Sequence, residues 1–312
     1  YNDDRIIPSM VKFGYPLEEA RNFANDGCWE VLVPGKTSFG YNPFDVLKIL
    51  QESLGLGPVN KETDDFNDFE DLYSDFENRL SSFIAALINS QPTSSSVPTV
   101  LVDMLVEGCI GKGRSYYNLG PKYTVRSPHA GGLPDVANSL LVIRKLVYEE
   151  KKFTLGGFMD ILRGNWQGHE DLRRMIRSRF DFFGNDSEAS DAMMKKVFDT
   201  YTELVGKVRC RNGILRPAGI STFGREMDAF IADRTASAAG SMKGDILASN
   251  FTPSPGTDKR GPTAVIKSHC SVDFSKLPCG TALDIKILPS SISGERGLDA
   301  LVGMMRTFVQ LG

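Results

Sequence analysis

The spacing of apolar residues divides the chain into many helices and a few short strands. Three- and four-residue spacing predicts a long helix over residues 63–89, where Phe66, Tyr73 and Leu80 share one face. The same pattern predicts helices over residues 16–24, 43–54, 134–150, 157–163, 169–180, 187–206, 224–238 and 296–312. Apolar or β-branched runs predict strands over residues 99–105, 263–266 and 282–288. Strands separated by long helices are typical of a parallel sheet or barrel with helices outside, so we expect an α/β fold.

Two loops are rich in glycine and proline, residues 128–134 and residues 250–264. Such loops let the backbone approach a ligand closely. They are candidate binding segments.

Composition narrows the class of partner. Charged residues make up 24% and hydrophobic residues 41%, and the net charge of −3 offers no basic surface for nucleic acid. We find no run of about eighteen apolar residues and no basic-then-apolar leader, so we expect neither a membrane span nor a signal peptide. The sequence therefore predicts a cytoplasmic protein whose partner is a small molecule.

The five cysteines are odd in number and form no Cys-x-x-Cys pair, which disfavours a disulfide framework or a structural zinc site. His129, His169 and His269 lie far apart in the sequence, and each is more commonly an ordinary polar residue than a ligand. We expect no metal site.

Cys28 and Glu30 form the most informative local pattern. In an extended segment, residues i and i+2 point to the same side at roughly 6–7 Å, so a thiol and a carboxylate would face one substrate. The spacing alone is also compatible with a buried thiol beside a surface acid, and with a nucleophilic thiolate that uses a histidine base.

Longer segments carry a family resemblance. Residues 6–10 and 18–30 resemble the region around the thiyl cysteine in glycyl radical enzymes of the pyruvate formate-lyase-like group, where a Gly-Cys-x-Glu motif follows a helix. Further similar segments follow at residues 183–186, 216–219, 244–250 and 254–264. Residues 277–280 and the helix predicted over residues 296–312 resemble the start of the glycine-radical domain.

The resemblance implies a ten-stranded α/β barrel with helices outside. This chain would hold its C-terminal part over residues 1–270 and the start of the glycine-radical domain over residues 271–312, truncated at both ends. It also implies a protein-based glycyl radical, installed by a radical-SAM activase, with no bound cofactor. The Arg-Val-x-Gly-Tyr-like motif that carries the radical glycine does not occur in the 312 residues, so we expect that glycine outside this chain. We expect a small-molecule substrate and a homodimer.

The resemblance also assigns roles to residues. Cys28 corresponds to the thiyl position, and Glu30 corresponds to the carboxylate that takes a proton from the substrate radical in the eliminating members. Burial matters for this chemistry because water and oxygen must be excluded. The substrate-pocket candidates are Trp29, Tyr41, Asn42, Phe223 and Thr263.

Differences from the family pattern narrow the range of reactions that we expect. Formate acetyltransferase uses two adjacent cysteines, whereas Cys28 is flanked by Gly27 and Trp29, which disfavours pyruvate cleavage. Asn42 stands where glycerol and propanediol dehydratases carry an aspartate, which disfavours a diol substrate. We therefore expect a glycyl radical lyase that eliminates water, an amine or another group from a small polar substrate. The alternatives are an arylacetate-type decarboxylase and an inactive fragment or formate acetyltransferase-like enzyme.

Overall fold

The computed structural model describes residues 2–27, 30–57, 66–90, 97, 99–221 and 234–312. Its α-helices are α1 (Asp3–Phe13), α2 (Leu17–Ala20), α3 (Val46–Ser53), α4 (Phe69–Ser90), α5 (Val100–Leu105), α6 (Cys109–Lys112), α7 (Leu133–Ile143), α8 (Leu155–Arg163), α9 (Glu170–Arg179), α10 (Glu188–Gly206), α11 (Pro262–His269) and α12 (Gly294–Leu311). A π-helical turn, Arg144–Glu149, continues α7, and 3-10 turns occupy Phe274–Lys276 and Pro289–Ile292. None of the helices in these ranges is long and apolar enough to cross a membrane.

The strands are short. They are β1 (Ala24–Asp26), β2 (Glu30–Leu32), β3 (Thr37–Ser38), β4 (Tyr41–Asp45), β5 (Tyr123–Val125), β6 (Ser127–Gly131), β7 (Cys210–Arg211), β8 (Ile214–Leu215) and β9 (Gly219–Ile220). β1 and β2 pair antiparallel, with Asp26 opposite Glu30. The other strands form two sheets, ordered β3-β5-β8-β7 and β4-β6-β9, and all their pairings are parallel except β7 with β8.

The same three chain segments form both sheets: β3 is followed by β4, β5 by β6, and β8 by β9. Gly40 N donates to Val125 O and Ser127 N donates to Gly40 O, so the ladder continues across the break between β3 and β4. A Cβ atom at Gly40 would overlap Arg126 Cδ, so a side chain there would require the Arg126 side chain to move. Each successive strand pair therefore behaves as one interrupted strand, and the three lie side by side and parallel.

Side chains alternate between the two faces of the β4-β6-β9 sheet. Phe44, Ala130 and Ile220 are aligned by register and belong to the main hydrophobic core, together with α3, α4, α7 and α10. Fully burying a side chain of the size of Phe44 stabilises the fold by about 1.5–3 kcal/mol. The helices therefore cover one face of the sheet, and the opposite face is left to other segments.

A second, smaller core joins the N-terminal helices to β2. Ile6, Met10, Tyr15 and Val31 are buried together there. Val31 N donates to Cys279 O at 3.2 Å, which ties β2 to the segment that precedes the last helix.

The three strands predicted from apolar runs are wrong. Residues 100–105 form α5 and residues 263–266 lie within α11, while residues 282–288 form neither helix nor strand. Runs this short do not distinguish helix from strand by periodicity. In α11, Pro262 follows Gly261 at the helix start, a position where the fixed φ of proline suits a helix. Residues 282–288 instead bond to the loop around Phe251: Ala282 O accepts from Phe251 N, and Asp284 N donates to Thr252 Oγ1.

The predicted helices over residues 134–150, 157–163, 169–180, 187–206 and 296–312 are confirmed. The helix predicted over residues 63–89 is confirmed from Phe69, and residues 63–65 lie outside the described residues. The helix predicted over residues 43–54 begins only at Val46, because the Asp45 carboxylate caps it by accepting from Lys48 N.

Two predicted helices differ more from the structure. The segment 16–24 forms a single turn, α2, before β1 begins. Of the helix predicted over residues 224–238, residues 224–233 lie outside the described residues, and residues 234–238 are not helical.

Candidate active site

The face of the β4-β6-β9 sheet that points away from the helices is polar. Tyr41, Ser127, His129 and Ser221 lie on it, and Gly219 provides the space that the His129 ring fills. A Cβ atom at Gly219 would overlap that ring. We call this group, together with Cys279 and Glu30, the inner cluster.

Glu30 is the first residue of β2 and its side chain is buried, with only 6% of the residue exposed. A Cβ atom built on Gly27 would lie 3.4 Å from Glu30 Oε2, so the carboxylate lies beside the backbone of the turn that follows β1. Gly27 has φ +60°, a conformation that favours glycine. The carboxylate is therefore held inside the protein, next to the residue that precedes Cys28.

Cys279 connects β2 to the sheet. Its N–H donates to Ala218 O at 3.0 Å, and its carbonyl accepts from Val31 N. Burial and the nearby charge of Glu30 raise the pKa of the Cys279 thiol to about 12, although hydrogen bonds from Ser127 and Val31 act against this. The thiol is therefore protonated at neutral pH.

A chain of side-chain hydrogen bonds runs across the inner cluster. Cys279 Sγ lies 3.5 Å from His129 Nε2, His129 Nδ1 lies 2.9 Å from Ser221 Oγ, and Ser221 donates to the Tyr41 hydroxyl at 2.9 Å. The Tyr41 and His129 rings also meet edge to face at 4.9 Å. Complete burial lowers the pKa of His129 to about 3, so its imidazole is neutral.

The structure brings only some of the predicted site residues to this cluster. Glu30 and Tyr41 belong to it. The Asn42 amide donates to the carbonyls of Gly40 and Ser127 at 3.1 and 3.4 Å, and Thr263 is exposed in the first turn of α11. Cys28, Trp29 and Phe223 lie outside the described residues.

Four side chains of the inner cluster were not predicted from the sequence: Ser127, His129, Ser221 and Cys279. His129 lies in the first glycine-rich loop, where the run Ser-Pro-His-Ala-Gly forms β6. The apolar and polar alternation in that run is the signal that could have indicated a strand with His129 on one face.

The second glycine- and proline-rich loop is held by buried polar side chains. Asp135 accepts from Ala248 N and Ser254 Oγ, both at 2.8 Å. Asn185 accepts from Lys259 N at 2.7 Å and donates to Thr257 O at 2.7 Å. Burial raises the pKa of Asp135 to about 6. These contacts fix the shape of the loop.

A cavity of about 720 Å³ lies near the C-terminal helix, and none of its lining residues belongs to the inner cluster. It lies between α1, α11 and α12, and Asn25 and Gly280 belong to its wall. Among the residues that the structure describes, no three His, Cys, Asp or Glu side chains are placed to bind a metal ion together.

Two families match this chain. The family described as pyruvate formate lyase-like matches residues 1–226, and the family described as glycine radical matches residues 247–312. The chain belongs to the pyruvate formate lyase-like family. The relationship predicted from the residues around Cys28 is therefore confirmed.

Curated relatives of this pyruvate formate lyase-like chain are dehydratases and lyases. The trans-4-hydroxy-L-proline dehydratase of Clostridioides difficile is 29% identical over 335 residues, an alignment that covers 100% of this chain and 41% of that protein. The isethionate sulfite-lyase of Desulfovibrio desulfuricans is 26% identical, with 99% of this chain and 40% of that protein covered. The chain thus spans about 40% of the length of these relatives.

Solved structures of the family share the fold. Hydroxyproline dehydratase from Clostridioides difficile, with its substrate bound, superposes with a TM-score of 0.91 at 26% identity, covering 100% of this chain and 41% of that one. Glycerol-bound B12-independent glycerol dehydratase from Clostridium butyricum gives a TM-score of 0.90 at 25% identity, with the same coverage. The α/β fold, predicted as part of the glycyl radical enzyme barrel, is confirmed, and the domain boundary after residue 270 stays a prediction.

Proposed function

We propose that the protein is a glycyl radical lyase that eliminates water, an amine or another group from a small polar substrate. Cys28 is the residue whose thiyl radical takes a hydrogen atom from the substrate. Glu30 then takes a proton from the substrate radical so that the leaving group can depart.

The observation that carries the proposal is the buried carboxylate of Glu30. It comes two residues after Cys28, lies beside Gly27, and its charge contributes to the raised pKa of the Cys279 thiol. Only 6% of Glu30 is exposed, so bulk water is largely kept from the carboxylate, which suits a group that takes a proton from a bound substrate.

The match to the glycine radical family supports a protein-based radical. This radical supplies the hydrogen-atom acceptor that activates Cys28, and a radical-SAM activase installs it. His129 and Cys279 are both fully buried, which suits radical chemistry because it requires the exclusion of water and oxygen. We also propose that the protein holds no other cofactor, forms a homodimer, and divides into a barrel part over residues 1–270 and the start of the glycine-radical domain over residues 271–312.

A second candidate is decarboxylation of an arylacetate-type acid. The observation that favours it is the similarity to indoleacetate decarboxylase of Tractidigestivibacter scatoligenes, which is 25% identical over 349 residues and of which 38% is covered. The lyases above align with slightly higher identity, so elimination is our first choice.

Product analysis of the full-length, activated protein separates the two candidates. We would incubate it anaerobically with trans-4-hydroxy-L-proline, 1,2-propanediol, glycerol, isethionate and indoleacetate, and measure the loss of each compound and the release of carbon dioxide. Elimination predicts a dehydrated, deaminated or desulfonated product without carbon dioxide. Carbon dioxide from indoleacetate would favour the decarboxylase, and a Cys28→Ser protein serves as the control without thiyl chemistry.

A further inference from the structure

The last helix, α12, turns one row of residues toward the protein and leaves a neighbouring apolar row exposed. Its inner side packs against α11 and against the 3-10 turn Pro289–Ile292. A Cβ atom at Gly297 would overlap the backbone of Ile292, and the Phe308 ring lies 6.2 Å from the ring of His269. The inner row of α12 is therefore Gly297, Leu301, Met304 and Phe308.

The outer row of α12 consists of Leu298, Val302, Met305 and Val309, which are 58, 38, 60 and 63% exposed. Their spacing of four, three and four residues places them in one line along the helix, and this is the spacing at which two helices pack side by side. Single exposed apolar residues are ordinary on a protein surface, whereas a continuous exposed row marks a contact surface. The outer row therefore has the form of a helix–helix interface.

A hollow lies beside the outer row. Met305 and Val309 line the cavity of about 720 Å³, and Leu283 and Ile285 belong to its wall as well. An apolar side chain of a partner helix can enter such a hollow, as a knob enters a hole between packed helices. The surface beside the row is therefore shaped to receive side chains from a partner.

Two charged residues accompany the outer row. Asp299 and Arg306 each follow a member of the row by one position, so they flank the row on the same side. Neither forms an ion pair with another residue that the structure describes. In an antiparallel pair that aligns Leu298 of one copy with Val309 of the other, the same flank brings opposite charges together. Asp299 of each copy then lies beside Arg306 of the other, which gives two equivalent ion pairs.

A parallel pair of helices lacks this complementarity. Each flanking charge would then face the opposite flank of the second helix, which is formed by Leu301 and Phe308 of the inner row. Asp299 and Arg306 would meet apolar side chains that are turned toward the body of that copy. The charge pattern therefore favours the antiparallel arrangement.

We propose that the outer row of α12 is a dimer interface, in which it packs antiparallel against the outer row of a second copy of this chain. The same patch on both copies meets itself, as a two-fold symmetric contact requires. Stable dimers bury about 1,200 Å² or more in total, and the row extends over roughly 17 Å of helix. The walls of the adjoining cavity therefore belong to the interface too. This interface does not depend on the proposed lyase activity.

Met305 lies in the middle part of the row and provides the first test. Sedimentation velocity of the complete protein over a series of concentrations measures the dissociation constant of the dimer. Met305→Asp should raise this constant roughly 10²-fold, because each copy would bury an unpaired charge in the interface. Leu17→Asp is the matched control, since Leu17 is 48% exposed in α2, outside the row, and the constant should stay unchanged.

The flanking charges provide a second test that leaves the apolar row intact. Asp299→Arg should raise the dissociation constant about tenfold, because both ion pairs become repulsive. Combining Asp299→Arg with Arg306→Asp makes the charges opposite again and should return the constant to within about threefold of the parent value.

A monomeric parent, a dimer that Met305→Asp leaves intact, or a double variant as weak as Asp299→Arg would each overturn the proposal. A lower unfolding free energy in Met305→Asp without a change in association would show that the same polypeptide covers the outer row, and would overturn it too. None of these measurements requires turnover, so a failure of the interface and a failure of the proposed lyase function are distinguishable.

Discussion

At the scale of single residues, the position of Glu30 in β2 determines how far its carboxylate is exposed to solvent. Glu30 is the first residue of the strand, and only 6% of it is exposed. The hydrogen bond from the next residue, Val31, to Cys279 O brings β2 against the polar face of the sheet. The carboxylate therefore faces a closed interior, where a proton transfer competes with little solvent.

Replacing Glu30 by Gln tests its role as a base. The substitution keeps the size of the side chain and removes the proton acceptor, so we expect kcat to fall by roughly 10²–10⁴-fold. KM and the amount of glycyl radical should change little, because the loss is confined to the transition state.

Hydrogen exchange provides the matched control for Glu30→Gln. Exchange of substrate hydrogen through Cys28 should persist in the variant, since hydrogen-atom abstraction does not need the carboxylate. Near-normal turnover would show Glu30 to be a bystander and would remove the main support for elimination.

The residues that a sequence predicts best are those whose relation is local. Glu30 follows Cys28 by two positions, so a motif can identify it. His129, Ser221 and Cys279 come from three distant parts of the chain, and they become neighbours through the pairing of β6 with β9 and the backbone hydrogen bonds of Cys279. No spacing in the sequence carries that information.

At the scale of secondary-structure elements, the position of β9 against β6 depends on Gly219. Gly219 pairs with His129, and the imidazole lies where a side chain at residue 219 would be. The close approach of β9 to β6 and the position of the His129 ring therefore require the same residue.

Gly219→Ala should destabilise the protein by about 1–3 kcal/mol, the cost of forcing extra volume into a packed interior. Gly156→Ala in α8 is the matched control, because a Cβ atom there meets no atom within 4 Å and alanine favours a helix. Urea unfolding of the two variants measures the difference. Equal stability of both would mean that the ring can move aside at no cost.

Long amphipathic helices were predictable because many residues repeat the same spacing, as in α4 and α10. The strands were not, since most have two or three residues and their partners lie far away in the sequence. At residues 263–266 the sequence predicts a strand where the structure has a helix. The β-branched residues there favour a strand, but Gly261 and Pro262 begin α11.

At the scale of the whole molecule, the stability of the fold depends on pH through the buried carboxyl of Asp135, which holds the second glycine- and proline-rich loop. Asp135 is completely buried, and burial raises its pKa from 3.8 to about 6, although Ala248 N, Ser254 and Arg234 favour the charged form. The folded protein thus binds this proton more tightly than the unfolded chain. The resulting stabilisation is fully present below about pH 4 and is lost as the pH rises through 6.

Replacing Asp135 by Asn tests whether protonation of Asp135 makes the stability depend on pH. The amide keeps one acceptor and does not titrate, so the unfolding free energy of the parent minus that of the variant should fall by about 2.5 kcal/mol between pH 4 and pH 7. Urea unfolding across that range measures the difference. A difference that does not change with pH would contradict the raised pKa.

The central claim is that Cys28 carries the thiyl radical of a glycyl radical lyase, and Cys28→Ser tests it most directly. A hydroxyl holds its hydrogen too strongly to pass the radical on, whereas installation of the glycyl radical by the activase does not involve residue 28. The measurement is electron paramagnetic resonance and turnover on the same activated sample of the complete protein, which includes the radical glycine. We predict a glycyl radical signal equal to that of the parent protein with no detectable product, and appreciable product from the serine protein would contradict the account.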